Sequence, residues 1–329
     1  MALHHKETDM VPYQVNFTAE ARQKTVAYYG EAEIEEFIGN HLANIMYDLF
    51  DATQVVVQPG FVRDHFGVVW DRTVDTDIGN VRGLLLPEPT LDGYDFPTVD
   101  AEFYRTVYRR FMAHDAKVFR LGAIGFSLFE RAWTLRGMDH LLSDMLEAPA
   151  FVDELLDRIL AYNLAVIRVA LEFDIDGMHF GDDWGQQHGT IMGPALWRRF
   201  IKPRLAAMYG EVKRAGKFVS QHSCGDVQEL FPDLIEIGLD IFNTFQPEVM
   251  DVADMKRRYG QHLTFWGGIS TQCVLPFATP TVVTANVRRM LQTIGAGGGF
   301  ICAPTHDVSK DVPVENIVAL IETLRRQAA

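Results

Sequence analysis

Short runs rich in apolar and β-branched residues alternate along this chain with longer segments in which apolar positions recur at helical spacing. The longer segments predict amphipathic helices, among them residues 31–50, 101–114, 150–172 and 194–215. The short runs predict eight strands, near residues 11–17, 54–58, 117–121, 177–181, 217–221, 241–245, 263–267 and 299–303. Strands that alternate with helices indicate a parallel sheet. Eight such units predict an α/β fold of the (β/α)8, TIM-like barrel type.

One stretch departs from this alternation and gives the expected domain organisation. Residues 61–97 are rich in Asp, Gly and Pro, and we expect them to form a loop and hairpin insertion over the barrel mouth. Elsewhere the helix-end signals are regular: Pro194 stands early in its helix and Gly216 directly after it. No Ser/Gly-rich linker divides the chain, so we expect residues 1–329 to form a single domain.

Composition limits the classes of function. The 329 residues include 48% hydrophobic residues, which is ample for a core. A net charge of −14 argues against nucleic acid or a membrane surface as a partner. Three cysteines make no disulfide framework, and the N-terminus shows no signal-peptide pattern. We therefore expect a cytoplasmic protein; composition predicts no oligomeric state.

The strongest chemical signal is a set of imidazole and thiol groups at predicted strand ends. His222 and Cys224 are two residues apart, so on a continuing strand their side chains point the same way. Cys302 ends the last predicted strand, at the same rim of a barrel. One imidazole and two thiolates are ligands that a catalytic Zn²⁺ accepts, with its fourth position open. The alternative is that the thiols pack in the core and the histidine is simply hydrogen-bonded.

Other polar and aromatic residues follow the predicted strands, and we assign them roles around that metal. The catalytic candidates, which could orient the substrate or move a proton, are Asp182, Asp183 and His306. The substrate-binding candidates are Phe126, Trp184, Gln187, Gln246 and Trp266. His306 could also be an extra metal ligand. The alternatives are a helix N-terminal cap for the two aspartates, core packing for the aromatic residues and an exposed position for His306.

Several motifs resemble the uroporphyrinogen decarboxylase superfamily. They are FGDDWGQQ at 180–187, MGP at 192–194, FIKP at 200–203, KFVSQHSCGD at 217–226, WGGI at 266–269 and GGGF at 297–300. The resemblance covers most of the chain, is weakest before about residue 110, and implies a (β/α)8 barrel. Decarboxylases of this superfamily use no metal and carry an arginine-rich N-terminal signature, whereas residues 11–17 contain no arginine.

The branch that this chain resembles is the zinc-dependent, corrinoid-linked methyltransferases, whose metal ligands are His-x-Cys and a distant Cys. The resemblance implies His222, Cys224 and Cys302 as ligands, and a corrinoid cofactor on a separate partner protein. Asp64-His65-Phe66-Gly67 does not have the spacing of a corrinoid-ligating motif. Because the predicted rim is aromatic, we expect the small-molecule partner to be a methoxylated, aromatic methyl donor. Two alternatives stay open: methylation of the thiol coenzyme M, and a metal-free decarboxylase-like enzyme.

Overall fold

Seven parallel strands form the central sheet of the protein. The structure is a computed structural model and describes residues 1–74, 78–114 and 117–327. In their order along the sheet the strands are β1 (Leu42–Asn44), β6 (Phe119–Ile124), β7 (Gly177–Gly181), β10 (Phe218–His222), β11 (Ile241–Phe245), β12 (Thr264–Ile269) and β13 (Phe300–Pro304). Consecutive parallel strands of this kind, joined by helices, give the α/β class that the sequence predicts.

An extended segment near the N-terminus connects the two edges of this sheet. The backbone N–H of Gln14 donates to Cys302 O at 3.2 Å, and Cys302 N–H donates to Pro12 O at 2.8 Å. On the other side, His41 N–H, just before β1, donates to Tyr13 O at 3.0 Å. The sheet is therefore curled, as in TIM-like barrels. The segment coincides with the predicted strand 11–17, although only isolated bridges at Tyr13 and Phe17 mark it.

Helices pack around the sheet and share the main core with it. They are α1 (Ala19–Tyr29), α2 (Ile34–Ile38), α3 (Met46–Ala52), α4 (Ala101–Met112), α5 (Phe129–Arg136), α6 (Met138–Glu147), α7 (Pro149–Ala170), α8 (Gly193–Leu196), α9 (Lys202–Arg214), α10 (Phe231–Glu236), α11 (Val252–Tyr259), α12 (Val274–Phe277), α13 (Pro280–Thr293) and α14 (Val314–Arg325). A π-helical turn joins α8 to α9, so the predicted helix 194–215 is almost continuous. None of the helices in the described ranges is both long and apolar enough to span a bilayer.

Two predictions for the N-terminal part were wrong. The predicted helix 31–50 is interrupted by β1, because Gly39 ends α2 at a φ of 78° and Asn40 then turns the chain. The Asn40 side chain bonds Val15 N–H at 2.9 Å and Val15 O at 3.0 Å, which fixes this turn against the connecting segment.

The second wrong prediction concerns the strand at residues 54–58, which is not in the barrel sheet. In that sheet β1 occupies the position that we had assigned to it. The residues of β2 (Val55–Gln58) within this segment are all exposed, whereas the parallel strands of a barrel are buried on both faces.

Those residues belong to a separate antiparallel sheet of order β2-β3-β4-β5. Its strands are β2 (Val55–Gln58), β3 (Phe61–Arg63), β4 (Val69–Asp71) and β5 (Asn80–Arg82). A buried ion pair of 2.7 Å between Asp64 and Arg131 attaches this sheet to α5. The ring of Trp70 lies 5.1 Å from that of Phe126, just beyond the end of β6. That residues 61–97 are an insertion over the barrel mouth stays a prediction, and residues 75–77 of that stretch lie outside the described ranges.

Candidate metal centre

Three side chains of different chemistry converge where β7 and β10 end. His222 is the last residue of β10, Cys224 lies two residues further on, and Asp183 lies two residues beyond β7. One ligand atom from each lies within 4.8 Å of the other two. The Nε2 atom of His222 is 3.4 Å from Cys224 Sγ and 3.5 Å from Asp183 Oδ1. All three residues are half-buried, so the cluster stays accessible from the rim.

The imidazole of His222 is oriented by a hydrogen-bond chain from the next two strands. The Nδ2 group of Asn243 on β11 donates to Trp266 O at 3.1 Å, which turns Asn243 Oδ1 towards His222. His222 Nδ1 then donates to that oxygen at 2.5 Å. The proton therefore sits on Nδ1, and the Nε2 lone pair faces Cys224 and Asp183. Histidines that ligate metals are typically held in this way by their second ring nitrogen.

Glycines allow the loop that carries Cys224 to lie directly on the loop after β7. Gly225 has a φ of +82°, and a Cβ there would lie 2.3 Å from the carbonyl carbon of Gly185. Asp226 N–H donates to Gln186 O at 2.7 Å, and Gly225 N–H donates to Gln246 Oε1 at 2.6 Å. Because two backbones meet here, a larger residue at 225 would have to displace the loop. This contact fixes the position of the neighbouring thiol.

The electrostatics of the cluster favour a bound cation. Burial raises the pKa of the Cys224 thiol, and the carboxylate of Asp183 raises it further. A thiol in this setting keeps its proton unless a positive charge stabilises the thiolate. A divalent metal supplies that charge and ionises a coordinating thiol outright. Imidazole nitrogen, thiolate sulfur and carboxylate oxygen are the three ligand types of zinc sites, so the residues present fit Zn²⁺.

Hydrogen bonds to the surrounding structure occupy the carboxylate of Asp182, one of the residues that we expected to be catalytic. It is fully buried and accepts from the backbone N–H groups of Leu128, Phe129 and Glu130 at 3.3, 3.0 and 2.8 Å. The indole N–H of Trp184 donates to it at 2.7 Å. Burial raises the pKa of Asp182 to about 6, although these donors favour the ionised form. Asp182 thus caps the N-terminus of α5, which is the alternative considered from the sequence.

Cys302, which we expected to be a metal ligand, is not in the cluster of potential ligands among the described residues. The neighbouring Ile301 and Ala303 pack with Trp266 and other strand residues on the inner face of the sheet. Cys302 and Phe300 instead belong to the core that the strands share with the helices. Alternation along β13 therefore turns the fully buried Cys302 thiol away from the face that carries Trp266. Asp183 stands in the cluster in its place.

The three aromatic residues predicted to bind substrate occupy different environments. Trp184 is fully buried, with its ring 5.3 Å from that of Trp197, and is a core residue. Trp266 lies on the inner face of the sheet, 5.1 Å from the ring of His179. Phe126 is half-buried and lines a cavity of about 60 Å³ beside Phe50. Of the three, only Phe126 lines a cavity, since Trp266 is 5% exposed; the substrate-binding role of these residues stays a prediction.

The predicted polar residues also differ in their surroundings. Gln246 is buried and its Oε1 atom is already bonded to Gly225, so it positions the loop. Gln187 is exposed in the hairpin of β8 (Gly185–Gln186) and β9 (Gly189–Thr190). His306 is exposed, and its ring centroid lies 6.1 Å from that of His222. Among these residues only His306 lies beside the cluster.

Two residues near the cluster were missed from the sequence. Burial raises the pKa of Glu130 well above its ordinary value, and the negative charges of Asp183 and Asp182 raise it further. The backbone N–H of Asp183 donates a hydrogen bond to the Glu130 carboxylate, which acts in the opposite direction. His179 is buried on β7, with Nδ1 2.8 Å from Ser220 Oγ, and burial followed by the charge of His222 lowers its pKa to about 3. The alternation of side chains along β7 could have indicated that His179 faces the inside of the sheet. No pattern in the sequence distinguishes Glu130 as a residue near the cluster.

Comparison with known proteins agrees with the resemblance in the sequence. The family model "Uroporphyrinogen decarboxylase (URO-D)" matches residues 123–327. Uroporphyrinogen decarboxylases of Nitrosospira multiformis and Methylococcus capsulatus are 31% identical over 179 residues and 23% identical over 185 residues. These matches cover 52% and 55% of this chain and 47% and 50% of the relatives. The chain thus spans about half the length of the curated relatives it matches.

Two solved structures share the fold at low sequence identity. A methyltransferase from Methanosarcina mazei superposes with a TM-score of 0.72 and 16% identity, covering 100% of this chain and 97% of that chain. A B12-independent methionine synthase from Shewanella sp. W3-18-1 gives a TM-score of 0.52 and 10% identity, with 98% of both chains covered. Because residues 123–327, more than half of the chain, match the family model, the chain belongs to the uroporphyrinogen decarboxylase (URO-D) family.

Proposed function

We propose that this protein is a zinc-dependent methyltransferase that moves a methyl group from a methoxylated compound, with an aromatic ether as the first candidate, to a corrinoid on a separate protein. The observation that carries the proposal is the convergence of Asp183, His222 and Cys224 at the carboxyl ends of two adjacent strands. Active sites of TIM-like barrels lie at this end. A thiol and an imidazole placed there, with a carboxylate beside them, are suited to a catalytic metal.

The chemistry required of the site is modest. A bound Zn²⁺ supplies Lewis acidity, which polarises an ether oxygen or stabilises a thiolate. Asn243 holds the imidazole of His222 in the ligating tautomer, and the Gly225 loop holds the thiol of Cys224. His306, beside His222, is suited to complete the ligand set or to hand a proton to the departing oxygen. Glu130, hydrogen-bonded to the backbone of Asp183, is a second group that we propose to hold that proton.

The distribution of charge supports a neutral methyl donor over the thiol coenzyme M, which is anionic. Three arginines that could attract an anion interact with other groups. Arg120 is the second residue of β6 and donates to His114 O, at the strand end opposite the site. Arg72 donates to Ile78 O and lies over the ring of Phe50. Arg131 is paired with Asp64, so its charge is already compensated.

A spectroscopic assay tests the proposal. The protein is mixed with a reduced corrinoid protein and a panel of methoxybenzenes, and methylcobalt absorbance is followed. We expect methylcobalt from at least one ether, and its loss in Cys224→Ala but not in the matched control Cys273→Ala, because Cys273 is an exposed thiol outside the cluster. If no ether yields methylcobalt while methylcobalamin is rapidly demethylated by coenzyme M, thiol methylation replaces this proposal.

Chelation separates the catalytic metal from a structural one and addresses the metal-free alternative. We expect removal of zinc to abolish methyl transfer while far-ultraviolet circular dichroism stays unchanged, because the core of so long a chain does not depend on one ion. Activity that survives complete removal of the metal would favour a metal-free enzyme. Unfolding on chelation would make the metal structural.

A further inference from the structure

The cavity beside Phe126 has a volume of about 60 Å³. Its walls come from α3, from the segment between β3 and β4, from the end of β6, and from α4, α5 and α7. This is less than half of the about 150 Å³ that holds a benzene ring. Phe126 has a φ of +51°, a left-handed conformation that is uncommon for a bulky residue and that clusters at ligand sites. The cavity is therefore suited to one substituent of a larger ligand.

Two polar side chains at the wall of this cavity lack hydrogen-bond partners. The Nδ1 atom of His65 and the Nε2 atom of Gln54 are shielded from solvent, and neither has a partner within the described residues. Burial, followed by the charge of Arg131, lowers the pKa of His65 to about 4, so its imidazole is neutral at pH 7. Unpaired polar groups inside a protein are costly. A ligand that pairs with both groups would remove this cost.

The charges at the cavity wall already balance each other. Asp64 and Arg131 both line the cavity, are 7% and 5% exposed, and form the 2.7 Å ion pair described above. A further charge in this space would have no counter-ion, and burial of an unpaired charge is expensive. A hydroxyl group is neutral, and it can accept from the amide of Gln54 and donate to the imidazole of His65. It therefore matches the unpaired groups better than a carboxylate does.

The end of β6 brings the cavity close to the metal cluster. Met46 and Gly125 line the cavity. A Cβ at Gly181 would lie 3.5 Å from the Cα of Gly125 and 3.9 Å from the Cε of Met46. Gly181 in turn pairs with His222 on the neighbouring strand, at a strand spacing of about 4.8 Å. The distance from the cavity wall to the cluster is therefore on the order of the length of a disubstituted benzene.

We propose that Gln54 and His65 determine substrate specificity by binding, in this cavity, a hydroxyl group on the ring of the methyl donor. This assignment rests on the proposed function, because it takes an aromatic ether to be bound at the metal cluster. The amide of Gln54 donates to the hydroxyl oxygen, and the hydroxyl donates to Nδ1 of His65. The substrate class is then a methoxyphenol whose methoxy group faces the cluster while its hydroxyl group enters the cavity.

Ligand-observed NMR titration, without any corrinoid protein, tests this subsite. The probes are the isomeric methoxyphenols, methoxybenzene as the analogue without a hydroxyl group, and the methoxybenzoates as charged analogues. We expect at least one methoxyphenol to bind about tenfold more tightly than methoxybenzene, because the analogue leaves the two buried groups unpaired. We expect every methoxybenzoate to bind more weakly than that methoxyphenol.

Two substitutions each remove one unpaired group while they keep the size of the side chain. Gln54→Leu and His65→Phe should lose most of the preference for the methoxyphenol over methoxybenzene. Their Tm without ligand should equal or exceed that of the wild type, because an apolar group replaces a buried polar group that has no partner. A merely structural role would instead lower Tm. The matched control is Gln58→Leu, since Gln58 is an exposed glutamine on β2 that does not line the cavity.

A wild-type preference for a methoxyphenol that Gln58→Leu keeps and that Gln54→Leu or His65→Phe loses supports the subsite. The subsite is overturned if no methoxyphenol binds more tightly than methoxybenzene, if both cavity variants retain the preference, or if a methoxybenzoate binds most tightly. Failure of the proposed function is seen separately. If the preference is intact but no ether yields methylcobalt, methyl transfer falls and the hydroxyl subsite stands. If ethers yield methylcobalt without such a preference, only the subsite falls.

Discussion

Replacing Asp182 by alanine should destabilise the protein without removing a catalytic group. The substitution leaves four buried donors without their acceptor, namely three backbone N–H groups at the start of α5 and the indole of Trp184. An unsatisfied buried donor costs about 1–3 kcal/mol. Two effects reduce the sum: water can enter the space left by the carboxylate, and the cost of burying a charge disappears. We therefore expect a loss of about 2–4 kcal/mol in the free energy of unfolding.

Thermal unfolding measures this loss, and the next residue supplies the matched control. At about 2–4 °C per kcal/mol, Asp182→Ala should lower Tm by about 4–16 °C. The Asp183 side chain is 37% exposed and bonds Cys224 N–H at 2.8 Å, so Asp183→Ala should lower Tm much less and should weaken metal retention instead. A Tm for Asp182→Ala equal to that of the wild type, together with lost methyl transfer, would refute the capping role and restore a catalytic one.

Three further substitutions test the geometry of the site. Asn243→Ala frees the imidazole of His222 and should weaken zinc binding about 10–100-fold, measured by competition with a chelator. Gly225→Ala places a methyl group against the Gly185 backbone, so metal content should fall while circular dichroism changes little. Folding lowers the pKa of His179 from 6.5 to about 3. Between pH 6.5 and pH 3 the unfolded chain therefore binds more protons than the folded chain, so the free energy of unfolding falls as the pH drops through this range. His179→Gln should flatten that slope in denaturant titrations at pH 7 and pH 5.

Most of the barrel could be predicted because its strands are buried on both faces and therefore have a simple signature. Gly177–Gly181 and Ile241–Phe245 form at the predicted bounds, since five consecutive buried residues between helices leave few alternatives. The elements in the N-terminal quarter of the chain were harder to predict from the sequence. Leu42–Asn44 is a three-residue strand inside an apparently helical pattern, and tertiary contacts through Asn40 decide its conformation. Local periodicity carries no information about such contacts.

The cluster of Asp183, His222 and Cys224 could also be predicted in part. His222 and Cys224 were identified by their spacing at a strand end. Cys302 was chosen as a thiol at the end of the last predicted strand and from the family resemblance. One residue of register along β13 decides which face a side chain takes, however, and the pairing with β12 sets that register. Asp182 and Asp183 are adjacent and chemically identical, yet one caps a helix and the other faces the cluster. Sequence alone offers no means of assigning these two roles.

The metal content of three matched cysteine variants tests the central claim most directly. The measurement is elemental analysis of purified wild type, Cys224→Ala, Cys302→Ala and Cys273→Ala, with circular dichroism to verify the fold. On the proposed function we expect about one zinc per chain in the wild type, as in catalytic zinc sites of known proteins. We expect loss of that zinc in Cys224→Ala and retention in both Cys302→Ala and Cys273→Ala. Full zinc occupancy in folded Cys224→Ala, or its loss from folded Cys302→Ala, would contradict the site formed by Asp183, His222 and Cys224.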